Sequence, residues 1–189
     1  MRRSNTDNRA AALLLLLAMT AMLGAFCANM IVHRLFPMRY SELIGRSCEE
    51  FGVDESLIYA IIHTESGFDA EARSSVGALG LMQIMPETFE WLQTCLPPER
   101  EMTEAELLVP EVNIRYGVYY VSRLERLFGS DTLVAAAYHA GQGSVLRWLD
   151  ESGIEAGAFS REDIPSAATC HYVSKVERAR SIYRRLYFR

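Results

Sequence analysis

The chain is predicted to fold as a mainly α-helical domain preceded by one membrane-spanning helix. Three observations predict this: apolar residues recur at helical rather than alternating spacing, helix caps and stops punctuate the body, and one uncharged run of membrane length stands near the N-terminus. The 189 residues, 50% of them hydrophobic, suffice for one ordinary domain with a real core plus a tail.

The N-terminal run, Ala10 to Val32, carries no charge and is mostly Ala, Leu and Met. Arg2, Arg3 and Arg9 precede it, and that Arg excess predicts a cytoplasmic segment 1–9, a transmembrane signal anchor 10–32 and an exported body. A cleaved signal peptide is the competing reading. The anchor is favoured, because the run exceeds a usual signal core and Ala25-Phe26-Cys27, the best small-residue cleavage pattern, is poor. Phe26 before Cys27 also argues against a lipoprotein.

The whole chain has a formal net charge of -5. Removing residues 1–32 takes away three Arg and one Asp, leaving 16 basic and 23 acidic residues, a net of -7. Bulk charge therefore argues against nucleic acid as a partner. Cys27, Cys48, Cys95 and Cys170 show no CxxC spacing, which argues against a metal site. The three outside the apolar run are either buried thiols or include one disulfide.

Past Phe36-Pro37, Ser41 is expected to cap a helix through about Glu50, stopped by Gly52. Asp54 then starts a helix that carries Glu65. Leu81 to Met85 reads as extended, with Leu81, Gln83 and Met85 on one side and Met82 and Ile84 on the other. Pro86 suits the first turn of a helix reaching Cys95, and Thr103 with Glu106 has capping-box spacing for a short helix ending near Pro110. A longer helix is expected over Val112–Phe128 with Gly129 as its stop. Asp131 is expected to cap the next, through Tyr138 to Gly141, followed by another from about Ser144 to Asp150. Residues 151–166 are the loosest stretch. The final helix repeats apolar residues at Tyr172, Val176, Ala179, Tyr183 and Leu186.

Glu65 is the residue that points to chemistry. It extends the stripe Ile58, Ile61, Ile62 onto what should be an inward face, and burial raises a carboxyl pKa toward the range of a general acid. Gly67 and a loop rich in Ser, Gly and Met follow at once.

Glu65-Ser66-Gly67-Phe68-Asp69, Ser74 and Gly77-Ala78-Leu79-Gly80-Leu81-Met82-Gln83-Ile84-Met85-Pro86-Glu87-Thr88 closely resemble the SLT-type lytic transglycosylases of the goose-lysozyme-like superfamily. Asn113-Ile114-Arg115-Tyr116-Gly117 and Ala136-Ala137-Tyr138-His139-Ala140-Gly141-Gln142-Gly143, with Val145 and Trp148, agree in order and spacing. The resemblance covers about Tyr40 to Leu186, and it implies a lysozyme-like catalytic domain over 40–189.

The resemblance further implies cleavage of the β-1,4 bond between N-acetylmuramic acid and N-acetylglucosamine in peptidoglycan strands, leaving a 1,6-anhydro end. One carboxyl can suffice when the substrate supplies its own nucleophile. Glu65 would protonate the leaving oxygen and then take the proton of the C6 hydroxyl. Ser66 either bonds near the acid or caps the helix end. Ser74, Gln83 and Met85 match positions lining the sugar groove, Gln83 suiting an acetamido group and Met85 a sugar face or the core. Tyr138 matches a tyrosine near the acid, where its phenol would orient Glu65 or the substrate acetamide. No metal and no organic cofactor is implied, and no protein partner is indicated.

Two positions depart from the family pattern. His139 stands where Asn is usual, and Ala168-Thr169-Cys170-His171-Tyr172-Val173 aligns with Glu-Thr-Arg-x-Tyr-Val, so Ala168 replaces a second groove glutamate. Glu162 or Asp163, from the loop before it, is the candidate substitute. A hydrolytic muramidase using another acid such as Asp69 is the rival enzyme reading, and a wall-binding scaffold without turnover is the rival outside enzymes.

Overall fold

A computed structural model describes residues 3–98, 100 and 102–188, so Met1 and Arg2 of the expected cytoplasmic segment, and Arg189, lie outside it. The chain divides into two compact units, 1–37 and 38–189. The first holds one helix, α1 (Arg3–Leu35), which begins within the expected cytoplasmic segment 1–9 and runs three residues past the expected span 10–32. Its Leu13–Leu35 stretch has mean hydropathy 2.1 and none of it is buried by protein. By length and composition it can cross a membrane.

The second unit is helical: α2 (Ser41–Phe51), α3 (Glu55–Glu65), α4 (Pro86–Cys95), α5 (Pro110–Phe128), α6 (Asp131–Ala140), α7 (Gln142–Ser152) and α8 (Ala167–Tyr187). Among the described residues there is no strand, only single bridges from Leu79 to Arg73 and Ile84. Helix α3 packs on α8, α2 on α5, and α6 on both α5 and α8. Every residue of α3 from Ser56 to Ile62 is buried. The apolar stripe leading to Glu65 is thus part of a helix enclosed on all sides, and Glu65 gains its setting from lying at the end of a central element.

The capping chemistry sets these boundaries. Asp54 accepts from Ser56 N at 2.8 Å, and Gly52 and Gly129 end α2 and α5 with φ of 72° and 63°. Pro86 and Pro110 occupy first turns. Thr103 and Glu106 form the expected capping box, Thr103 N and Oγ1 both reaching Glu106 Oε2 at 2.8 Å over a 3₁₀ turn, Glu104–Leu108. Helix α7 starts two residues before its expected position, at Gln142.

Three local expectations are corrected. Ser41 is the first helical residue of α2 rather than its cap, because Tyr40 takes the cap position in a left-handed conformation, φ 58°. Asp131 does not cap α6 either: Ser130 precedes it, and Asp131 pairs with Arg180, which also reaches Asp54 at 3.4 Å. One guanidinium on α8 thereby satisfies carboxylates at the N-terminal ends of α3 and α6, where helix dipoles favour them. The third correction is Leu81–Met85, which is folded rather than extended. Gln83 N bonds Gly80 O at 3.2 Å, and Leu79 and Ile84 exchange bonds of 3.0 and 3.1 Å. Leu81, Met82 and Ile84 are all buried, so the alternation of faces is lost.

The four cysteines are all free thiols. Burial, with the charge of Glu55 next, pushes the Cys48 thiol up to about 12, which keeps it protonated and unreactive.

Candidate active site

Glu65 ends α3, where unpaired carbonyls disfavour a negative charge. Burial raises its carboxyl above the ordinary 4.5, opposed by a hydrogen bond from Tyr172 and by the charge of Lys175. The Tyr172 hydroxyl donates to Glu65 Oε1 at 2.7 Å, from a ring 7% exposed on α8. Tyr172 and Tyr138 are themselves pushed well above the usual phenol range, by burial first and then by the nearby Glu65 charge. Both phenols therefore stay protonated and available as donors.

The loop from Ser66 to Met85 forms one wall beside the acid. Ser66 Oγ donates to Leu81 O at 2.7 Å, tying the end of α3 to the far limb of the loop rather than touching Glu65. Ser74 turns the loop tip by accepting from Ala78 N at 2.9 Å. Gln83 has φ 48°, and its Nε2 donates to Gly80 O at 2.8 Å and Ala72 O at 3.1 Å. Oε1 of Gln83 makes no bond among the described residues, and is left to accept from a ligand. Tyr138 donates to Met82 O at 2.8 Å, so its hydroxyl holds the loop and not the Glu65 carboxyl.

Asn113 on α5, with no exposed surface, fixes the same loop from below. It donates to Leu79 O at 2.9 Å and Leu107 O at 2.8 Å and accepts from Met82 N at 2.7 Å. Two glycines let the loop approach: a Cβ on Gly80, φ 75°, would collide with Leu107 O and the Asn113 amide, and one on Gly117 would collide with Met82 Sδ.

Gln83, Ile84, Met85, Thr88, Tyr138 and Gly141, with Tyr120, line a cleft of about 180 Å³. Met85, at 36% exposed, faces solvent at its edge and is not core. The structure thus gathers Gln83, Met85 and Tyr138 at one cleft, while Ser66 and Ser74 brace the wall behind it.

The opposite side is built from α6 and α8. His139 stacks on Tyr172 with ring centroids 4.6 Å apart, and its Nδ1 lies 3.2 Å from Thr169 Oγ1. Ala168 is exposed four residues before Tyr172, on the same face of α8, so the missing carboxylate would have stood one turn from that tyrosine. Both loop acids have local partners in this structure: Asp163 accepts from Ser160 N and Oγ at 2.8 and 2.6 Å, and the exposed Glu162 accepts from Arg161 at 3.0 Å. Asp69 is exposed and turns its Oδ1 to Glu71 N at 3.0 Å.

Sequence reasoning gave no role at the site to two residues, Tyr172 and Asn113. Tyr172 read as one more apolar position of the final helix, although its place in the Thr169–Val173 motif was a signal. Asn113 opened a matching motif, and an amide on the inward face of a helix asks for buried partners.

A family model described as the transglycosylase SLT domain matches residues 42–158. The soluble lytic murein transglycosylase of Salmonella typhimurium is 37% identical over 152 residues, covering 79% of this chain and 23% of that protein. A membrane-bound lytic murein transglycosylase C from Edwardsiella ictaluri is 34% identical over 173 residues, 78% of this chain and 47% of its own length. The chain thus spans less than half of each of these relatives. Among solved structures, a lytic transglycosylase from Pseudomonas aeruginosa, determined as an inactive Glu-to-Gln mutant, superposes with a TM-score of 0.72 at 36% identity, covering 79% of this chain and 24% of that one. With the family's model matching more than half of its length, on a fold shared with a solved relative, the chain belongs to the transglycosylase SLT family of lysozyme-like proteins.

Proposed function

We propose that this chain is a membrane-anchored peptidoglycan lytic transglycosylase. Its 40–189 body would cleave the β-1,4 bond between N-acetylmuramic acid and N-acetylglucosamine without adding water. The observation that carries the reading is Glu65, a carboxyl raised by burial at a helix end, held by Tyr172 and near enough to Tyr138, which lines the cleft, for its charge to act on that phenol. The names of its relatives and the inactivity of the Glu-to-Gln relative support it.

Glu65 acts twice. A carboxyl with a raised pKa keeps its proton to higher pH and can pass it to the glycosidic oxygen as the bond breaks. The carboxylate left behind is stabilised by the Tyr172 hydroxyl and by Lys175, the two influences that oppose burial. It then accepts the proton of the C6 hydroxyl as that oxygen bonds to C1, which closes the anhydro ring and restores the acid. The substrate N-acetyl group shields the cationic carbon, which removes the need for a second protein carboxylate. Gln83 Oε1 accepts from an acetamido N–H, Met85 packs on a sugar face, and Tyr138, with Ser66 and Ser74 behind it, keeps the wall in register.

Helix α1 serves as the anchor, with residues 1–9 on the cytoplasmic side and the body outside the membrane. The exposed Leu13–Leu35 run and the Arg residues ahead of it support this placement. Mass spectrometry of sacculi digested by the full chain tests the reaction. Anhydro-ended muropeptides, lighter by one water than reducing ends, are expected, and reducing ends alone would replace the reading with hydrolysis.

A further inference from the structure

One imidazole on the helical wall has no part in the proton transfer. His139 stands at the end of α6, next in the chain to Tyr138 and two residues before Gly141, both of which line the cleft. It is exposed, and its ring lies 4.6 Å, centroid to centroid, from that of Tyr172, tilted by 31°. The Tyr172 hydroxyl reaches Glu65 at 2.7 Å, so the imidazole sits one ring away from the acid.

Its hydrogen bonds fix which nitrogen carries the proton. Ser166 caps α8, its Oγ accepting from Thr169 N at 3.3 Å and from the Thr169 hydroxyl at 3.1 Å. With its own proton committed to Ser166, the buried Thr169 Oγ1 accepts from His139 Nδ1, 3.2 Å away. A neutral imidazole protonated on Nδ1 presents a bare lone pair on Nε2. Burial holds this imidazole below the usual 6.5, which keeps it neutral at pH 7. Among the described residues no group bonds Nε2.

The neighbours on this wall have nothing similar to offer. Tyr172 and Thr169 are buried, their protons spent on Glu65 and Ser166. Ala168 is exposed but brings only a methyl group. Of these four side chains, His139 is the one with an exposed, unspent polar atom.

We propose that His139 Nε2 accepts a hydrogen bond from a hydroxyl of the glycan strand, giving the helical wall the acceptor that a carboxylate at position 168 would give. The inference rests on the reading that such a strand lies beside Glu65. A sugar hydroxyl donates to a neutral imidazole nitrogen, whereas the same lone pair repels a carboxylate, so the contact selects saccharide. His139 is thereby a binding residue, which adds affinity for the strand without moving the Glu65 proton.

The full chain in detergent micelles is assayed on soluble glycan strands. His139→Ala, shown to be folded by circular dichroism, should raise KM about tenfold and leave kcat within about twofold, as for one lost neutral hydrogen bond. Adding Ala168→Glu to that variant should return KM toward the wild-type value, because it restores an acceptor to the wall. An unchanged KM, a loss confined to kcat, or a KM that Ala168→Glu fails to recover would overturn the proposal. A second arm does not need turnover: in wild type isotope-labelled at histidine, a millimolar tetramer of N-acetylglucosamine should move the His139 Nε2 resonance away from that of a bare lone pair. An unmoved resonance also overturns the proposal. Movement in a wild type that cleaves no strand would instead defeat the transglycosylase reading and leave the sugar contact standing.

Discussion

The two walls beside Glu65 are built by opposite means. On the loop side, polar side chains with the look of sugar ligands hold backbone: Ser66 holds Leu81 O, Ser74 the Ala78 amide, and Gln83 the carbonyls of Ala72 and Gly80, while Tyr138 reaches across from α6 to Met82 O. Asn113 adds three buried bonds from below. On the helical side, one hydrogen bond from Tyr172 reaches the acid, and a stacked His139 lies behind it. On the proposed function, the loop wall gives shape and the helical wall proton control. Such a site is preorganised largely by side chains that bond backbone, Gln83 using its Nε2 for this and keeping Oε1 for the ligand.

Substitutions on the two walls should therefore fail differently. The largest effect on folding is expected on the loop wall. Asn113→Ala leaves the buried Met82 N–H and Leu107 O unpaired and takes from Leu79 O one of its two bonds, the other being from Ile84 N, a loss of about 3 kcal/mol by denaturant unfolding. Cleavage should fall only as far as the folded fraction falls. Tyr172→Phe removes no backbone bond and should leave the unfolding midpoint nearly unchanged, while kcat drops about tenfold, as for one lost charge-assisted bond.

The pH profile of that variant sharpens the contrast. The Tyr172 hydroxyl favours the ionised carboxyl and lowers the Glu65 pKa, so its loss should raise that pKa further. The limb on which activity falls as Glu65 ionises would then move to higher pH. A Tyr172→Phe protein as unstable as Asn113→Ala, with no shift of that limb, would erase the distinction between the walls.

How far the sequence could be read follows the same division. Helices bounded by Gly52, Asp54, Pro86, Gly129 and the Thr103–Glu106 box were legible, because each boundary has a local chemical cause. Leu81–Met85 was misread, since its conformation is imposed from a distance by Asn113 and by close packing on Gly117. Local alternation carries no trace of either. That Gln83, Met85 and Tyr138 share one cleft is legible in the sequence, but their partners are not. The resemblance has Tyr138 orient Glu65 or the substrate acetamide, whereas Tyr172, 107 residues from Glu65 in the chain, is the residue bonded to the acid. Nothing local reveals which of two motif tyrosines meets the acid.

Glu65→Gln tests the central claim most directly, that this one carboxyl donates and recovers the proton. Its folding control has a defined sign. Burial makes the native carboxyl bind its proton more tightly than the unfolded chain does, so stability falls as pH rises from the ordinary 4.5 through the raised native value. An amide escapes that loss, and Glu65→Gln should melt no lower than wild type at pH 7. With that fold in hand, the release of muropeptides from purified sacculi by Glu65→Gln should be undetectable under conditions where wild type releases anhydro ends. Release at a rate near that of wild type would contradict the account.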